Sequence, residues 1–120
     1  MARVVALVAD LLFGSNLVGT LCAAGHDVEL VGSLAGLASA GEHDVLVVDL
    51  ASGAFEPAAV LAAGGGGSRR ARSLASYAHV DPTAREAALR AGFDRVVPRS
   101  RLARDAGALV DELGGTGAAQ

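Results

Sequence analysis

The sequence predicts an α/β fold: a three-layer, doubly wound parallel sheet of five strands in the order 2-1-3-4-5. Three observations predict it. Short β-like apolar runs alternate with helically spaced apolar residues along the whole chain. The connections between successive strands are short, so they must be right-handed β-α-β crossovers that cover the sheet on both faces. The central run Val45-Leu46-Val47-Val48 is continuously apolar and β-branched, as a strand buried on both faces must be. At 120 residues the chain is expected to form one domain, residues 1–113, with a flexible tail over 114–120.

The elements follow in order. Arg3 to Ala9 is the first strand. Leu17, Val18, Leu21 and Cys22 recur at helical spacing, which places Cys22 on the apolar face, and Gly25 stands where a helix ends. Val28 to Val31 alternates enough to lie near a sheet edge, and Leu34, Leu37 and Ala38 mark a short helix closed by Gly41. The buried third strand spans Asp44 to Leu50. A helix over Phe55 to Ala63 tolerates Pro57 in its first turn. Gly64 to Gly67 forms a flexible linker; it lacks the Lys-Ser/Thr that a phosphate-binding loop needs. Ser73 to Tyr77 is the fourth strand. Asp81-Pro82-Thr83 opens a helix that closes at Gly92. Arg95 to Pro98 is the fifth strand and Leu102 to Leu113 the last helix.

Composition excludes several functions. The net charge of −3 argues against a nucleic-acid partner. No apolar stretch is long enough to span a bilayer, and the chain opens directly into a strand without a signal-like segment, so a cytoplasmic protein is expected. Cys22 is the only cysteine, which rules out a disulfide framework. His26 and His43 are far apart and lack partners at ligand spacing, so no zinc site is expected. Charge is uneven: residues 1–60 hold seven acids and one Arg, residues 61–120 six acids and nine Arg, with no Lys anywhere.

Chemistry concentrates at two strand tips. Asp10 ends the first strand and Asp49 the third, and the order 2-1-3-4-5 sets these strands side by side. Their carboxyl ends border the switch point, where open α/β sheets bind ligands. Asp10 also suits the N-cap of the first helix, and Asp49 could cap the turn that follows it. A dinucleotide-binding reading of the first turn fails, because only Gly14 fits the G-x-G-x-x-G frame while Ala9 and Leu11 hold the other positions. His79 lies just past the fourth strand, at the mouth of the same crevice.

In this arrangement the chain resembles the receiver domain of bacterial two-component response regulators, whose sheet is of the flavodoxin-like type. The resemblance rests on "VVALVAD", "HDVLVVDL" and "YAHVDPTAREAALRAGFDRVVPRS", in receiver-like order over nearly the whole chain. It implies that Asp49 stands at the phosphoacceptor position and that Asp10 and Asp49 are the metal-binding acids for Mg²⁺. It also assigns Tyr77 to the switch hydroxyl, counting back from Ala91-Gly92, and Arg99 to the switch Lys. A register slipped by one would bring Ser76 to the hydroxyl position and exchange the sides of the strand.

Three of the five expected groups differ. Ala9 stands where a second acid is expected, Tyr77 where a small hydroxyl is expected, and Arg99 where a Lys is expected. Ser100 replaces the usual following Pro, and no Met-Pro pair follows Asp49. The resemblance therefore implies weak or absent Mg²⁺ binding and compromised phosphorylation at Asp49. It points to an atypical, stand-alone receiver-like signalling domain, not an enzyme, that acts through protein–protein contacts. Its partner is another signalling protein or a second copy, met through the fifth strand and last helix, around which Arg95, Arg99, Arg101 and Arg104 gather. A different reading makes the crevice at Asp10 and Asp49 a small-molecule or nucleotide-binding site.

Overall fold

The computed structural model describes residues 3–39, 44–63, 72–78 and 81–118, with side chains as far as residue 113 except at residues 38 and 39. Five strands, β1 (Arg3–Leu7), β2 (Asp27–Val31), β3 (Val45–Asp49), β4 (Arg72–Tyr77) and β5 (Arg95–Pro98), pair in parallel. Their order is β2-β1-β3-β4-β5, as the sequence pattern predicts. Helices α1 (Leu11–Ala23) and α4 (Arg99–Ala118) cover one face. The opposite face carries a 3-10 segment (Leu34–Ser39), α2 (Pro57–Ala63) and α3 (Pro82–Ala91).

Strand alternation divides the core between the two faces. Val4, Ala6, Val45, Val47 and Leu74 meet Leu17 and Leu21 of α1 and Leu102, Ala106 and Leu109 of α4. Val5, Leu7, Leu46, Val48 and Ala75 meet Leu37, Val60, Ala88 and Phe93. Every residue of β3 is buried, because both of its faces are covered. β2, at the edge, stays half-exposed along its length.

Local chemistry sets the helix ends. Asp10 caps α1, accepting the N–H groups of Leu12 at 3.0 Å and Phe13 at 3.1 Å. Asp81 caps α3 by accepting from Ala84, with Pro82 in the first turn. Gly92 closes α3 at φ +113, a left-handed conformation that other residues rarely adopt. Gly36 serves a close approach instead. A Cβ there would lie 2.6 Å from Cβ of Val31, so glycine lets the 3-10 segment settle onto β2.

Several boundaries and one burial differ from the sequence reading. The expected helix at Phe55 begins at Pro57, since Glu56 acts as its cap and accepts the N–H groups of Ala58 and Ala59 at 2.9 and 3.2 Å. The short helix after β2 is 3-10, not α, over its six residues. The last helix starts at Arg99, directly after Pro98, and passes through a non-helical residue at Asp105. Cys22 is exposed, not core: α1 buries Gly14, Leu17 and Leu21, and Cys22 turns about 100° away from Leu21. Gly41, His43, His79 and Gly64 to Gly67 lie outside the described residues.

The end of the sheet remote from Asp49 is tied by polar contacts. Arg3 joins Glu29 at 2.9 Å and also Asp44, linking the start of β1 to the middle of β2 and to the residue before β3. Asp94 accepts the N–H of Ser73 at 2.8 Å, fixing the start of β4 to the turn before β5. His26 is buried with its Nε2 3.0 Å from Asp111 of α4.

Candidate functional site

The three-way register β1-β3-β4 assembles the site. Leu7 pairs with Val48, so the turn after β1 brings Asp10 beside the tip of β3. Asp49 is the last residue of β3 and only 1% exposed. One of its oxygens is fully engaged: Oδ1 accepts the N–H of Ala51 at 3.1 Å and the hydroxyl of Ser76 at 3.0 Å. These two donors orient the carboxylate and leave Oδ2 facing Arg99.

Arg99 supplies the cation. It opens α4 immediately after β5, and its Nη2 donates to Asp10 Oδ2 at 3.2 Å. The same nitrogen lies 3.0 Å from Asp49 Oδ2. That second approach is an ion pair without hydrogen-bond alignment, since Asp49 Oδ2 is buried with no aligned donor. The guanidinium stacks on the Phe13 ring, 4.0 Å from its centroid, which holds it in place over the crevice. Its Nε is buried without a hydrogen-bond partner among the described residues. A single guanidinium thus joins both strand-tip acids.

Each sequence-predicted site residue can now be placed. Asp10, Asp49 and Arg99 come together. Tyr77 does not join them. Asp49 pairs in register with Ser76, and in a parallel sheet paired residues point to the same face. Ser76 therefore shares the α1/α4 face with Leu74 and Asp49, while Tyr77 turns to the face of Ala75. The hydroxyl touching Asp49 is that of Ser76, not that of Tyr77, the residue that spacing predicts. Strand parity counted from Asp49 could have signalled this. Phe13 carried no such signal, as an aromatic in the first turn of an amphipathic helix reads as core. Of the arginines gathered near β5, only Arg99 enters the site: Arg95 pairs with Glu112, and Arg101 and Arg104 lie 3.7 and 3.4 Å from Asp105.

The electrostatics of Asp10 follow from its donors. The Phe13 N–H and then the Arg99 side chain hold its carboxyl below the usual carboxylate range; desolvation opposes them less strongly, and the Leu12 N–H adds a still smaller lowering. A group with a lowered folded-state pKa stabilises the fold above its unfolded value and loses that contribution as pH falls through the folded one. Melting temperatures of the wild type and Asp10→Asn are thus expected to differ at neutral pH. The difference should shrink as pH drops below the ordinary value of 3.8.

The residues present do not fit Mg²⁺. That ion demands near-octahedral oxygen coordination and retains its waters. Here the place between the two carboxylates is held by a guanidinium, and Oδ1 of Asp49 is already doubly engaged. No three His, Cys, Asp or Glu side chains among the described residues are grouped to hold a metal ion.

At the level of sequence, no family model and no curated protein matches the chain. Solved structures do. A response regulator receiver domain protein from Clostridium thermocellum superposes with a TM-score of 0.78 at 15% identity, covering 97% of this chain and 96% of that one. The receiver domain of the sensor histidine kinase PA1611 from Pseudomonas aeruginosa, which has a magnesium ion coordinated in its active-site cleft, gives 0.75 at 16% identity, covering 95% and 98%. A CheY-like protein, TadZ, from Pseudomonas aeruginosa gives 0.68 at 23% identity, covering 96% and 94%. The chain has the fold of response regulator receiver domains over nearly its entire length.

Proposed function

We propose that this chain is an atypical receiver-like signalling domain, a binding module and not an enzyme, that works in the cytoplasm through protein–protein contacts. One observation carries the reading: the Arg99 guanidinium lies between Asp10 and Asp49, where phosphoryl chemistry would need a metal ion. An aspartate attacking a phosphoryl donor relies on a metal to neutralise the charge that develops. The magnesium-bearing neighbour keeps that ion in its cleft; in this chain a side chain stands between the two acids. The same guanidinium also argues against the crevice as a small-molecule or nucleotide site.

The contact surface favoured by this reading is the one formed by β5 and α4. Arg104 is 70% exposed on it and Arg101 43%, and α4 begins at the residue that grips the pocket. A partner or second copy bound there would meet an element rigidly tied to Asp10 and Asp49.

The test is incubation with Mg²⁺ and either acetyl phosphate or beryllofluoride, read by intact mass or by amide chemical shifts. No modification of Asp49 is expected. Robust modification that Asp49→Ala abolishes would restore a conventional phosphorylation switch.

A further inference from the structure

We infer that Arg99 is a tethered cation standing in for a divalent metal ion, and that removing its charge converts the pocket into a divalent-cation site. Three observations carry this. Nη2 of Arg99 reaches Oδ2 of both acids, at 3.2 Å and 3.0 Å, so one positive centre serves two carboxylates as a bridging ion would. Asp49 is 99% shielded from solvent with Oδ2 aimed at that position and lacking any aligned donor, so the oxygen is held ready for a cation and not for a hydrogen bond. The Phe13 ring stacks on the guanidinium, 4.0 Å from its centroid, and helps to hold that cation in place.

A metal ion entering the wild-type pocket would face a fixed positive charge about 3–4 Å away, where like charges repel strongly at protein-like dielectric. With Arg99 neutralised, the two Oδ2 atoms remain, and a hard cation can bind through two carboxylates while keeping its waters. The inference rests on the same placement of Arg99 that carries the signalling reading; a folded Arg99 variant indifferent to Mn²⁺ overturns the inference alone, whereas phosphorylation of Asp49 in the wild type overturns that reading.

Mn²⁺ is the probe, since it prefers the same oxygen ligands and broadens nearby amide signals. Wild-type protein is expected to show the same melting temperature in chelator and in millimolar Mn²⁺, with no selective broadening around Asp10, Asp49 and Ala51. Arg99→Ala, or Arg99→Gln where the alanine variant does not fold, is expected to melt higher with Mn²⁺ than in chelator, by at least a few degrees. It should also bind the ion roughly tenfold or more tightly than wild type does. Asp10→Asn in the Arg99 variant should remove that gain. Asp49-dependent Mn²⁺ broadening in the wild type overturns the proposal on its own, whether or not a variant folds. A folded Arg99 variant indifferent to Mn²⁺ overturns it equally.

Discussion

Alanine at Leu46 is expected to destabilise the domain by about 3 kcal/mol, within the 2–5 kcal/mol range of buried leucine truncations. Leu46 is 1% exposed on the central strand, in the core with Val60, Ala88 and Phe93. Aromatics make up only 3% of the chain, so the core depends on Leu, Val and Ala, with few large rings able to move into a void. β3 is fixed on both sides by parallel pairing to β1 and β4, which limits collapse around the missing methyls. The loss should appear as a fall in melting temperature of roughly 10–15 °C. Leu11→Ala is the contrasting control: that side chain is 76% exposed, and its removal should change stability by less than about 0.5 kcal/mol. Equal effects at the two positions would contradict the burial pattern.

The architecture was legible because it depends on periodicity. The continuous apolar run at Val45 to Val48, short, β-branched and bounded by turn residues, reads as a doubly covered strand, and β2's alternation marks it as an edge. Once strand order is fixed, Asp10 and Asp49 must be neighbours, and Arg99, the residue after Pro98, must lie at the same end of the sheet, although the pattern places the start of the last helix at Leu102 and not at Arg99. Those three site residues are therefore readable from strand tips alone. The hydroxyl is a different matter. Counting back from Ala91-Gly92 passes through the connection before α3, whose length sets the phase, and the count arrives at Tyr77. Register in the sheet selects Ser76 instead, because a parallel pair keeps both side chains on one face. Cys22 shows the same weakness in a helix: one residue beyond Leu21 is a turn of about 100°, enough to leave the core. Nor could spacing show where the long Arg99 side chain would point. That depends on the Phe13 ring beneath it and on two acids competing for one nitrogen.

Arg99→Ala is expected to cost about 2 kcal/mol in the wild-type background, below the 3–5 kcal/mol for breaking a fully buried pair because Arg99 keeps a third of its side-chain surface exposed. The cost arises at Asp49. With the guanidinium gone, its carboxylate stays in the sheet with only the Ser76 hydroxyl and the Ala51 N–H to compensate its charge. Asp49→Asn removes that charge while its side-chain oxygen can still accept from both donors. In the Asn background the same Arg99→Ala change should therefore cost under about 1 kcal/mol, leaving the exposed pair with Asp10 and the Phe13 stack as the remaining losses. Denaturant unfolding of the four proteins, with unchanged m-values, measures the coupling directly. If Arg99→Ala costs the same in both backgrounds, Arg99 is held by Asp10 and Phe13 alone and the pocket is not organised around Asp49. A coupling of about 1 kcal/mol or more makes Arg99 and Asp49 one unit, through which a shift of α4 reaches the tip of β3.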